Sequence, residues 1–182
     1  MKAKNLIFKP LSAFILLLVL ASCGASRLSE DQLVADSTKA KATISQGHPN
    51  MQELFSTSAG YAIFPNAGKG AYIIGGASGN GTVYEKGALV GYSDMKQVDI
   101  GLQAGGKAFI EVVFFQTQEA LSQFKKGTYS LSGNASAVII EQGASREVSF
   151  VDGVGVATMP KAGAMAGISV GGQKFEFRAL NK

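Results

Sequence analysis

Gly101-Leu-Gln-Ala-Gly-Gly106-Lys107 has the G-x4-G-K spacing in which backbone amides and a lysine hold phosphates. The residue after the lysine is Ala108, so the hydroxyl that would hold magnesium is missing. The loop should also open a helix, whereas Ala108 to Phe115 reads as a strand. No nucleotide partner is expected. Gly167-Ile-Ser169-Val-Gly171 fits the G-x-S-x-G turn of a serine nucleophile, which needs a general base later in the chain. The one histidine, His48, precedes the serine and stands beside Pro49, so Ser169 reads as an ordinary strand residue. His48 alone cannot build a zinc site, and Asp94, Asp99, Glu111 and Glu141 are spread along predicted strands without forming a calcium loop. Neither a metal, another cofactor nor an enzymatic activity is expected.

Cys23 is different, because its neighbours specify a reaction. Lys2, Lys4 and Lys9 precede an apolar run from Leu11 to Leu20 broken only by Ser12, and Ala21 and Ser22 follow: the three regions of an export signal. A helical membrane span needs roughly 20 apolar residues, twice this run, so the segment is expected to be removed. Leu20-Ala21-Ser22-Cys23 resembles the bacterial lipobox. The resemblance implies acylation of the Cys23 thiol, cleavage before it, and acylation of the new amino group with palmitate or a similar chain. Gly24 occupies the place of the inner-membrane retention aspartate, which implies an outer-membrane protein facing the periplasm. The expected organisation is a signal peptide over 1–22, a lipidated N-terminus and tether over 23–27, and one domain over 28–182.

The export signal also changes the charge balance. The chain has 17 basic and 13 acidic residues, and three of the basic ones leave with the signal, so the mature protein is nearly neutral. Nucleic-acid binding loses its electrostatic footprint. With no second cysteine there is no disulfide, and the domain must be held by its core.

The elements behind these residues are legible from period and punctuation. Ser29 with Gln32 forms a capping box, and Leu28 and Leu33 form a hydrophobic staple, which together predict a helix from Glu30 to Gly47. Asn50 with Glu53 predicts a short helix from Met51 to Thr57, and Thr117 one over 118–126. Between and after them, short apolar runs predict strands over 60–65, 70–77, 80–85, 88–93, 97–105, 107–115, 128–132, 135–142, 146–151, 154–159, 164–171 and 173–178. Lys86-Gly87 and Asp152-Gly153 predict tight hairpins, and neighbouring strands are expected to form a meander.

Two self-similarities accompany this pattern. Gly101 to Phe109 matches Gly167 to Phe175, and Phe64-Pro-Asn-Ala-Gly68 matches Met159-Pro-Lys-Ala-Gly163. Gly106 and Gly172 are expected to permit sharp bends in a strongly curved sheet. The aromatic residues are expected in the core. The fold class is thus α+β, mostly β: a single domain with a curved, barrel-like antiparallel sheet, short N-terminal helices and one inserted helix.

Ala59-Gly-Tyr-Ala-Ile-Phe-Pro-Asn-Ala-Gly-Lys-Gly-Ala-Tyr-Ile-Ile-Gly-Gly76, Val83-Tyr-Glu-Lys-Gly87, Gly101-Leu-Gln-Ala-Gly-Gly106, Phe114-Phe-Gln-Thr117, Ala135-Ser-Ala-Val138, Asp152-Gly-Val154 and Gly171-Gly-Gln-Lys-Phe175 occur in this order. Through these motifs residues 28–178 resemble the SYLF-domain family. The resemblance implies a lipid-binding module without enzymatic activity. Its eukaryotic members bind phosphoinositides and in some cases actin, and its bacterial members are commonly small exported lipoproteins. Actin does not carry over to a bacterial envelope. Lys69 matches the family's motif and, with Lys39 and Lys41 on the first helix, is the expected contact for lipid head groups. The expected partners are membrane lipid and an envelope protein. The alternative reading is a structural or protein-interaction module that uses lipid only as its anchor.

Overall fold

Ser29 Oγ accepts a hydrogen bond from the Gln32 backbone N–H at 3.2 Å and starts helix α1, Glu30–Ser45, with Glu30 and Asp31 favourably placed in its first turn. In this computed structural model residues 29–46, 48–71, 74–100, 105–131, 137–140, 147–162 and 172–180 are described. The expected signal segment, Cys23, the tether and the expected strand over 164–171 lie outside them. Helix α2, Pro49–Thr57, begins before the expected Asn50 cap. Pro49 takes the first helical position, where its missing N–H costs nothing and its fixed φ is already helical.

Among the described residues nine strands are present, the first three of them longer than expected. They are β1 Gly60–Ala71, β2 Ile74–Glu85, β3 Ala88–Ile100, β4 Gly105–Phe115, β5 Thr128–Leu131, β6 Ala137–Ile139, β7 Phe150–Val151, β8 Val154–Ala162 and β9 Gly172–Ala179, with helix α3, Gln118–Phe124, after β4. Asn80 and Asp94, which look like breaks, instead face each other across β2 and β3, and the Asn80 amide donates to the Asp94 carboxylate. The sheet order is β5-β9-β3-β2-β1-β4-β8-β6, with β7 beside β8. The meander therefore holds only for β1 to β3. Strand β4 returns to pair with β1, and β6 runs parallel to β8.

Both expected hairpins are present with two-residue turns: Lys86 and Gly87 have φ of 49° and 82°, and Asp152 and Gly153 of 51° and 75°. Such left-handed pairs match the twist of the strands they join. The repeated Pro-x-Ala-Gly segments flank β4. Phe109 is opposed by Ala67 on one side and Pro160 on the other, and the register shifts beside it in both ladders. Lys161 Nζ ties the two together, donating to Asn66 Oδ1 at 2.6 Å and to the Pro65 carbonyl at 3.3 Å.

The sheet curls into a half-barrel with a filled interior. Phe64, Met95, Phe109, Val113, Phe115, Val156 and Phe175 line it, and Phe64 and Phe175 meet at 5.5 Å between ring centroids although β2 and β3 separate their strands along the sheet. At the end bearing α3, Phe124 closes the barrel, 4.7 Å from Phe115 and 5.6 Å from Phe175. Glu85 holds α3 in place, accepting from Lys125 and from Gln118, each at 2.6 Å; the Lys125 bond first and the Gln118 bond second keep its carboxyl below the usual range. The outer face of β1, β4 and β8 is covered by α1 and α2 through Ala40, Ile44, Met51 and Phe55 against Tyr61, Ile63, Val112 and Phe114.

Glycine is required where the inner wall is crowded. A Cβ at Gly81 would stand 2.6 Å from the Phe64 ring, and one at Gly91 would meet the Arg178 carbonyl and the Phe177 ring. Gly172, expected at a sharp bend, is exposed, and its nearest atom would be the Leu131 carbonyl at 3.9 Å. Substituting Gly91 with Val is thus expected to abolish cooperative unfolding, and Gly172→Val to shift stability by less than about 0.5 kcal/mol. Phe124→Ala should cost about 3–5 kcal/mol in denaturant titration. Every buried residue of the described core lies beyond Ser29, so a chain of residues 24–182 keeps all of these contacts and is expected to give a β-rich circular dichroism spectrum and one thermal transition.

Candidate functional site

Strand alternation puts every second residue of β4 inside the half-barrel: Phe109, Glu111, Val113 and Phe115. Glu111 is the one acid among them and is 2% exposed. Its partner comes from across the interior. Gln173 of β9 donates through Nε2 to Glu111 Oε2 at 2.9 Å, Glu111 Oε1 at 3.1 Å and Gln97 Oε1 of β3 at 3.1 Å. Gln97 and Gln173 face each other in the β3–β9 ladder, while β3, β2 and β1 separate Gln173 from Glu111 along the sheet.

One amide nitrogen with two protons thus stands before three acceptors. A proton on Glu111 removes one acceptor from that set. Burial, opposed only by the Gln173 bond, pushes the Glu111 carboxyl up to about 7. Glu111 carries a proton through the mildly acidic range, a role that its place in the run Phe109-Ile-Glu-Val-Val-Phe-Phe115 signals: a carboxylate at an inward position of an otherwise apolar strand. Among the described residues no group of three histidines, cysteines or acids could hold a metal ion.

The expected lipid contacts fall in different places. Lys39 is exposed on α1. Lys41 is half-buried: its Nζ donates to Tyr61 Oη at 2.8 Å and lies 4.8 and 4.9 Å from the Tyr61 and Phe55 ring centroids, an arrangement that fixes α1 against α2 and β1. Lys69 lies in β1, where the register sets it opposite Lys107 of β4 and Ala77 of β2. Cys23 lies outside the described residues. Sequence reasoning passed over Lys96 and Lys174, which oppose each other across β3 and β9. Only strand pairing brings them together, and single-strand patterns do not contain it.

Residues 96–180, from within β3 to the end of β9, match the family model Ysc84, described as Las17-binding protein actin regulator. The match supports the SYLF-family resemblance carried by the sequence motifs. No curated protein matches the chain.

Glu111 gives a measurable pH dependence. Its carboxyl ionises near 4.5 when unfolded and near 7 when folded, so the folded state holds the extra proton between these values. Stability is full below about pH 4.5 and falls as pH rises, by roughly 3 kcal/mol by pH 7 and above. Glu111→Gln should remove that slope: the melting temperature of the variant relative to wild type is expected to be higher at pH 8 than at pH 5. Equal differences at both pH values would show that folding does not raise the Glu111 carboxyl above its unfolded value.

Proposed function

With residues 96–180 matching the SYLF (Ysc84) family, we propose that the protein is a lipid-anchored component of a bacterial envelope whose domain binds phospholipid or another amphiphile. The family match is the observation that carries this reading. Cys23 is the proposed attachment point, with residues 1–22 removed on export and the mature domain on the periplasmic side of the outer membrane. The domain acts by binding and not by catalysis.

The packing of the half-barrel supports a surface mode. Phe64, Phe109, Phe115, Phe124, Phe175 and Met95 fill the described interior, so acyl chains meet the domain from outside. Of the three expected lysines, Lys69 and Lys39 are the proposed head-group contacts. Lys41 has its ammonium against Tyr61 and Phe55 and contributes by holding α1 in place. A second reading, a protein-interaction module, is favoured by the family description, which names a binding partner and actin regulation for its members.

One measurement tests the anchor that both readings share, and a second separates them. Cys23→Ser is expected to abolish palmitate incorporation and the membrane retention that depends on it. Residues 24–182 should float with anionic vesicles, less so as salt shortens the screening length to about 8 Å near physiological strength, and less again in Lys69→Glu. A chain that floats with no vesicle composition and co-purifies with a stoichiometric protein would instead establish the interaction module.

A further inference from the structure

We propose that the domain meets an anionic bilayer through the outer face of β3 and β9 at the end opposite α3, with Lys96 and Lys174 at the head groups and Val98 in the interface. The inference rests on the lipid-binding reading above and names the surface that performs it.

Val98 is the most exposed large apolar side chain among the described residues, at 62%. Its cross-strand neighbours are Gly76 on β2 and Gly172 on β9, so nothing beside it on the sheet shields it. Those glycines are not demanded by packing: a Cβ would meet only the Gln97 carbonyl at 3.5 Å and the Leu131 carbonyl at 3.9 Å. Two residues further along β2 and β3 the register pairs Ile74 with Ile100. Two residues back, Lys96 stands directly opposite Lys174, with side chains 67% and 54% exposed.

Like charges opposed across a ladder work against the sheet. Glu176 lies 3.8 Å from Lys96 Nζ and 3.6 Å from Lys174 Nζ, so the two lysines share this exposed carboxylate, and Asp94 stands opposite Glu176 in the ladder. Their exposed ammonium groups remain open to an anionic head group.

The order along β3 fixes the class of partner. At about 3.4 Å per residue, Val98 lies about 7 Å beyond Lys96. Apolar groups of interfacial segments sink about 5–10 Å below the head groups, while lysine stems extend back to keep their charges in water. A row of lysines followed by apolar positions over this distance matches that gradient. A protein partner would bury a central patch in which lysine is disfavoured.

The test uses residues 24–182, which lack cysteine, so that Val98→Cys labelled with an environment-sensitive dye reports on one site. With vesicles of phosphatidylcholine and phosphatidylglycerol the label is expected to shift to the blue, and a label at Gln123→Cys, on α3 at the far end, is expected not to shift. Val98→Asp, and Lys96→Gln combined with Lys174→Gln, should each weaken vesicle partitioning at least tenfold with an unchanged melting temperature. Wild-type binding with undiminished binding of both variants and no shift at position 98 would overturn this surface while leaving lipid binding intact. No wild-type binding to any vesicle would instead overturn the lipid-binding reading, and this inference with it.

Discussion

Phe64 occupies the volume that a side chain at position 81 would need, and Phe177 does the same at position 91. This pairing of large against absent side chains sets the curvature of the whole sheet. Because Gly79, Gly81 and Gly91 carry no side chain, they make room on β2 and β3 for rings from β1 and β9 to reach one another across the interior. Phe124 can then complete the cluster from α3, and Glu85 through Lys125 and Gln118 keeps that helix seated. The outer layer of α1 and α2 needs only the flat backs of β1 and β4, whose alternation it reads through Tyr61, Ile63, Val112 and Phe114.

The polar bridge of Glu111, Gln173 and Gln97 spans the same interior with the opposite economy. The bridge holds a carboxyl whose ionised form is poorly solvated. Replacing it by apolar side chains of equal volume would raise stability near neutral pH, as removing buried charge often does. What the bridge supplies is register: three side chains from three strands meet only when β4, β3 and β9 are correctly aligned.

Local chemistry made the helices and turns legible. The Ser29 and Thr117 caps and the Lys86-Gly87 and Asp152-Gly153 turns each act within four residues, and each is found as the sequence implies. Strand limits were harder. Gly79-Asn80-Gly81 and Asp94 look like interruptions, but in a curled sheet glycine makes room for aromatic rings and polar residues sit on the wet face. The return of β4 to β1 rests on pairing between distant segments, which no periodicity encodes. The same holds at the level of side chains: composition identified Lys41 as a cation, whereas its engagement with Tyr61 and Phe55 depends on where α1 packs. Lys96 and Lys174 are 78 positions apart in sequence numbering and become a pair only through the β3–β9 ladder.

Among the described residues the sheet terminates at β5 and β6, strands of four and three residues. Leu131 at the end of one and Ala137 at the start of the other are joined by so few residues that their ends lie within about 20 Å. Such short borders offer another chain little backbone to template against. A protein rich in β-branched and aromatic strands is thereby protected from edge-to-edge polymerisation when many copies crowd together, and its four longest described strands, β1 to β4, which would make the most adhesive borders, each have a neighbour on both sides.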